Sequence, residues 1–143
     1  MEHFSIYLFF IQDIFISYLV FTFKSESIFY ILLTLDKYNF WYLATINFLT
    51  FMVTMIINYY LGYFFIRIFK KIHFKVNVKN KIHVEIFLWI LSVFPISVAL
   101  ANFLGGFLHN RKSYLKILVV SLIFKILQIT IISLKSYLEL RNL

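Results

Sequence analysis

The sequence predicts an all-α integral membrane protein built from two opposed re-entrant helical hairpins and two transmembrane helices. Three observations carry that expectation. Hydrophobic residues make up 62% of the 143 and charged residues 14%, against about 25% charged in soluble domains, and the mean hydropathy is +0.88. Four apolar stretches run from Phe4 to Phe23, Phe40 to Ile66, Val84 to Leu108 and Tyr114 to Leu134. The chain's only proline, Pro95, splits the third stretch, which has basic clusters on both sides.

The first stretch ends at the polar break Lys24, Ser25, Glu26 and Ser27, and the apolar piece from Ile28 to Leu35 that follows is too short to cross a bilayer. It reads as the returning arm of a hairpin over 4–36, or as a surface segment. Gln12 and Asp13 interrupt the first run and no small-residue cleavage site follows it, so a cleaved signal peptide is not expected. From Phe40 to Ile66 the 27 residues exceed the roughly 20 that a span needs. A basic loop over 67–83 comes next, with Arg67, Lys70, Lys71, Lys75, Lys79 and Lys81 supplying six of the 14 basic residues.

In the third stretch, 84–108, the segments on either side of Pro95 would rise about 16 and 20 Å as helices, each short of a hydrocarbon core about 30 Å thick. Arg111, Lys112 and Lys116 follow it, and juxtamembrane Lys and Arg favour the cytoplasmic side. Both ends are therefore expected on one face, with the chain turning at Pro95. Irregular backbone at that depth is tolerated only where it is buried in protein or lines a polar cavity. The last span is 114–134. With both hairpins re-entrant, nine basic residues lie inside, three outside (Lys37, Lys135 and Arg141), and Lys24 and Lys125 are embedded. Four plain spans would leave eight inside and five outside, a poorer fit to the positive-inside rule. No linker or fixed-spacing repeat divides residues 1–143, which read as a single polytopic membrane domain.

A formal charge of +8 would suit nucleic acid, but the clustering beside apolar spans is explained by topology, so no nucleic-acid partner is expected. Absence of Cys removes disulfides, thiol nucleophiles and thiolate metal sites. There is no His-Glu-x-x-His, no Gly-rich phosphate loop and no Gly-x-Ser-x-Gly, and His3, His73, His83 and His109 lack ligand spacing. The expectation is no enzyme, no catalytic residue, no metal and no cofactor.

Individual polar residues in apolar surroundings carry the rest. Glu26 is the leading candidate for handling a proton, since a carboxylate within the membrane is costly and resists ionising; alternatively it pairs with Lys24 or sits at a wet interface as a hairpin cap. Lys125, eleven residues into the last stretch, would attract an anionic phosphate head group, pair with Glu26, or snorkel. Asp13 and Gln12 would line the same cavity or sit near the surface. Asn58 and Asn102 read as interhelical hydrogen-bonding groups, and Gly105-Gly106 as permitting close helix approach. Arg67, Lys70, Lys71, Arg111 and Lys112 would hold anionic head groups or simply fix topology.

Ser25-Glu26, Asn58-Tyr59-Tyr60-Leu61-Gly62, and Ser92-Val93-Phe94-Pro95 followed by Gly105-Gly106 resemble, in order and spacing, the motifs of the DedA superfamily, the VTT-domain (SNARE-associated-like) membrane proteins, and most of all its small single-unit YqaA-like subgroup. The likeness covers about Phe9 to Ile132. Thr22-Phe23 stand where the family has Pro-Gly, and Val98-Ala99 where Gly-Asp often follows the second-tip proline. The resemblance implies a multi-pass protein of the cell inner (plasma) membrane that assists transbilayer movement of a lipid or lipid-phosphate, coupled to protons, with membrane lipids as partners and a homodimer as one way to enclose a cavity. The alternative is a noncatalytic membrane scaffold whose polar residues only fix helix packing.

Overall fold

The computed structural model describes residues 2–21, 28–35, 38–69, 81–94, 97–107 and 111–141. Among them are six helices: α1 (Glu2–Tyr18), α2 (Ile28–Thr34), α3 (Phe40–Phe69), α4 (Lys81–Val93), α5 (Val98–Phe107) and α6 (Arg111–Arg141). The all-helical expectation holds, and two helices contain stretches long and apolar enough to cross a membrane, Phe40–Ile68 (29 residues) and Tyr114–Leu138 (25 residues). Only 28% and 22% of their most apolar windows are buried. Their hydrophobic side chains thus face outward, as lipid contact requires and a soluble core does not. Helix bounds depart from the sequence expectation at the basic loop: α3 runs on to Phe69, α4 begins at Lys81, and Arg111 and Lys112 lie in the first turn of α6 rather than ahead of it.

Local chemistry sets several of these ends. Asn39 precedes α3 and its Oδ1 accepts a hydrogen bond from the Trp41 amide at 2.9 Å, an N-cap that satisfies one of the donors a helix start leaves free. Within α3, Thr45 and Thr54 donate their hydroxyls to the carbonyls of Trp41 and Thr50, at 2.7 Å each, so neither carries an unpaired donor in apolar surroundings. Ser97 opens α5, its carbonyl accepting from the Ala101 amide at 2.9 Å. Its hydroxyl donates backward to the Leu91 carbonyl at 2.7 Å, satisfying an acceptor that the end of α4 leaves free.

The two long helices form the frame. α3 touches α1, α2, α5 and α6, and α6 touches α2, α3, α4 and α5. Leu88 of α4 and Ala101 of α5 share one buried cluster with Ile117 of α6, although thirteen residues of continuous helix would hold them about 20 Å apart. α5 therefore runs back alongside α4. Likewise Phe10 of α1 stacks on Phe29 of α2, ring centroids 5.9 Å apart, so the chain also turns back between them. The larger cluster joins Phe10, Ile14, Tyr18 and Phe29 to Phe51 and Met55 of α3.

The tightest contact is α3 against α5. A Cβ on Gly106 would collide with the Tyr59 carbonyl oxygen, and would lie 2.8 Å from the Tyr59 carbonyl carbon and 3.0 Å from the Tyr63 amide nitrogen. Gly105 is different: a Cβ there would meet Ile117 Cδ1 at 3.4 Å and Tyr114 Cδ2 at 3.7 Å, ordinary contact distances. The glycine pair is thus one close-approach residue and one permissive neighbour. Gly106→Ala should separate the helices and destabilise the protein by about 1–3 kcal/mol, whereas Gly105→Ala should stay within about 0.5 kcal/mol of the parent. Thermal unfolding of both variants in detergent checks the contrast.

Candidate functional site

Ser121, Lys125 and Gln128 stand at i, i+4 and i+7 on α6, which places them on one face of the helix. Lys125 is the twelfth of the 25 residues of the span Tyr114–Leu138 and is only 2% exposed. An ammonium near a bilayer's centre costs about 3 kcal/mol on insertion scales, so its surroundings must compensate. Lys125 Nζ donates to the Tyr18 hydroxyl at 3.0 Å, and that hydroxyl donates onward to Gln128 Oε1 at 3.1 Å. The same nitrogen lies 4.5 Å from the centroid of the Tyr18 ring and 5.3 Å from that of Phe51. The two rings meet edge to face at 4.8 Å. Cation–π attraction reaches about 2 kcal/mol where water is excluded, so the aromatic pair offsets much of the burial cost.

Tyr18 is the last residue of α1, where neither Gly nor Pro ends the helix. Asn58 of α3 supplies the cap instead. Its Nδ2 donates to the Tyr18 carbonyl at 2.7 Å and its Oδ1 accepts from the Val20 amide at 3.1 Å. Both groups of one fully buried amide thus hold the end of α1 at the level of Lys125. Asp13, a turn and a half earlier, is buried within the protein. Its Oδ2 accepts from the Ile28 amide at 3.1 Å, at the first residue of α2, where a carboxylate meets the positive end of the helix dipole. Gln12 is exposed and does not face this site.

Around Lys125 a cavity of about 300 Å³ opens between α1, α6 and the α4–α5 turn. Its polar wall is Tyr18, Ser92, Ser121, Lys125 and Gln128; the apolar wall includes Phe51, Phe94, Val98, Leu127, Ile131 and Ile132. Asn102, also fully buried, braces the floor behind it. Its Nδ2 donates to the Val98 carbonyl at 2.8 Å and contacts Met55 Sδ at 3.2 Å and Ser121 Oγ at 3.3 Å, linking α5 to α3 and α6. The arrangement offers one cation, hydroxyl and amide groups, and a hydrocarbon wall. Among the described residues no group of three His, Cys, Asp or Glu is placed to hold a metal.

Of the residues expected from sequence, the structure brings Lys125, Asn58 and Asn102 to one place, with Ser92 and Phe94 beside Lys125. Glu26, Ser25, Pro95, Lys70 and Lys71 lie outside the described residues, as do the side chains of Arg111 and Lys112. Arg67 is exposed in the last turn of α3, and Gly62 is buried one helical turn from Asn58. Sequence reasoning missed Tyr18, Phe51, Ser92, Ser121 and Gln128. The periodic Ser121, Lys125, Gln128 face was a signal that could have found two of them. No family model, curated protein or solved structure matches the chain.

Asn58→Leu removes both capping bonds while filling the space. It should cost about 1–3 kcal/mol, the penalty for leaving buried backbone groups unpaired. Thermal unfolding in detergent reads the loss; a variant as stable as the parent would show that the α1 end needs no cap.

Proposed function

We propose that the chain is a small multi-pass protein of the cell inner (plasma) membrane, of DedA and YqaA-like type, that assists transbilayer movement of a lipid or lipid-phosphate. The observation that carries this reading is the buried Lys125 amine on the wall of a cavity at mid-span. In the proposed mechanism α1–α2 and α4–α5 are re-entrant hairpins opening to opposite faces, with their turns near the midplane. A phosphate head group displaces the Tyr18 hydroxyl from Lys125, the serine hydroxyls and Gln128 take its remaining oxygens, and the chains stay against lipid and the apolar wall. This lowers the barrier because the head group trades water for fixed polar groups instead of for hydrocarbon. Glu26 as the proton-handling group rests on sequence alone, and a homodimer would enclose the cavity further.

A second reading has its own support. Asn58 and Asn102 both bond across helices, which is what a noncatalytic scaffold would use to fix its packing. The two readings part at Lys125. In proteoliposomes, the protein should accelerate exchange of a fluorescent anionic lipid between leaflets, and Lys125→Met should abolish that acceleration while the protein still inserts and folds. Equal exchange by parent, variant and protein-free vesicles leaves the scaffold.

The hairpin geometry has a separate test. Since the chain has no Cys, single cysteines replacing Asn80 and Asn110 give clean labelling from each side of the membrane. Both should react from the cytoplasmic side. Reaction from opposite sides would make α4–α5 a broken span and remove the re-entrant arrangement.

A further inference from the structure

We infer that the Lys125 cavity opens to one leaflet only, the one surrounding the C-terminal half of α6, and that it admits the head-proximal part of a single hydrocarbon chain of an anionic lipid from there. This rests on the lipid reading above and adds side and stoichiometry to it.

The side follows from what closes each end. With 13 and 10 residues, α4 and α5 rise about 20 and 15 Å against a hydrocarbon core about 30 Å thick. They flank only part of α6. Their turn lies beside the middle of that helix, because Ser92, Phe94 and Val98 line the cavity together with Ser121 and Lys125. Towards the basic loop the space is filled. Leu88, Ala101 and Ile117 form a closed layer at 1%, 0% and 0% exposure, with Leu91 and Leu104 packed against it. Behind that layer Tyr114 stacks on Tyr59 at 3.8 Å, and Gly106 sits on the Tyr59 backbone.

Among the described residues no equivalent layer closes it away from the loop. The cavity's own wall is exposed there: Phe94 is 58% accessible, Leu127 48% and Ile131 66%. Polarity changes along α6 in the same direction, from Ser121, Lys125 and Gln128 to Ile131 and Ile132. A ligand therefore lies with its head at the closed end and its chain leaving past Ile131. The volume of about 300 Å³ is that of about ten water-sized groups at roughly 30 Å³ each, enough for a phosphate and the first methylenes of one chain. In the proposed topology this open side is the outer leaflet.

The test uses the full chain in proteoliposomes sorted for orientation, with a single-chain alkyl phosphate carrying a photoactivatable group near its head, delivered to one leaflet and illuminated at once. Labelling of the Phe124–Ile132 segment should be at least several-fold greater when the probe enters the leaflet at the C-terminal end of α6, and should be lost in Lys125→Met. Ile131→Trp, a change at an exposed position, should block the mouth and abolish labelling while leaving the fold intact. Label that depends on Lys125 but arrives equally from both leaflets, or mainly from the loop side, overturns the one-sided site and leaves the lipid reading standing. Label from either side that is indifferent to both substitutions overturns both.

Discussion

The need to keep one ammonium group bonded at the middle of α6 constrains the rest of the molecule. Lys125 is too deep to reach either surface cheaply, and one turn away on its own helix stand the Ser121 hydroxyl, already donating to the Ile117 carbonyl, and the Gln128 amide. The solution is Tyr18, which presents a hydroxyl to the amine and a ring face to its charge. Tyr18 is also the last residue of α1, so the end of the first helix and the buried cation are tied together by one side chain.

Each reversal leaves free backbone groups, and the structure meets that cost with side chains from neighbouring elements. Asn58 of α3 closes the end of α1, Asp13 of α1 meets the start of α2, and Ser97 ties the start of α5 to the last turn of α4. In water such caps contribute to local stability; where no solvent competes, an unpaired amide or carbonyl costs several kcal/mol, so the same bonds decide whether a helix is able to end there at all. This explains why Asn58 and Asn102 serve folding and the cavity together: the amides that pair the backbone also contact Tyr18 and Ser121.

Much of the architecture was legible because hydrophobic runs and helix length speak directly to bilayer thickness. The span beginning at Phe40, the break at Pro95 and the isolated charge of Lys125 could be read from composition and spacing. Asp13 could not. Its neighbours in sequence allow either a surface or a buried carboxylate, and only the return of α2 places the Ile28 amide beside it. Tyr18 was equally hidden, because in a chain with 10 Tyr and 19 Phe an aromatic residue carries little information until its partner across the fold is known. Gly105 and Gly106 look equivalent in sequence; backbone proximity to Tyr59, which only the three-dimensional packing reveals, separates them.

That packing also limits how the cavity can change shape. α5 is locked to α3 where the Gly106 backbone rests on the Tyr59 carbonyl, and a contact between two backbones has no flexible side chain with which to yield. α4 makes its contacts chiefly with α5 and α6, through side chains such as Leu88. The layer of Leu88, Ala101 and Ile117 joins α5 to α4 and α6, and α6 is held to α3 by the stack of Tyr114 on Tyr59. The α3–α5 pair thus bears Asn58 and Asn102, which bond to Tyr18 and Ser121, while α4 and α6 bear the cavity residues Ser92 and Lys125.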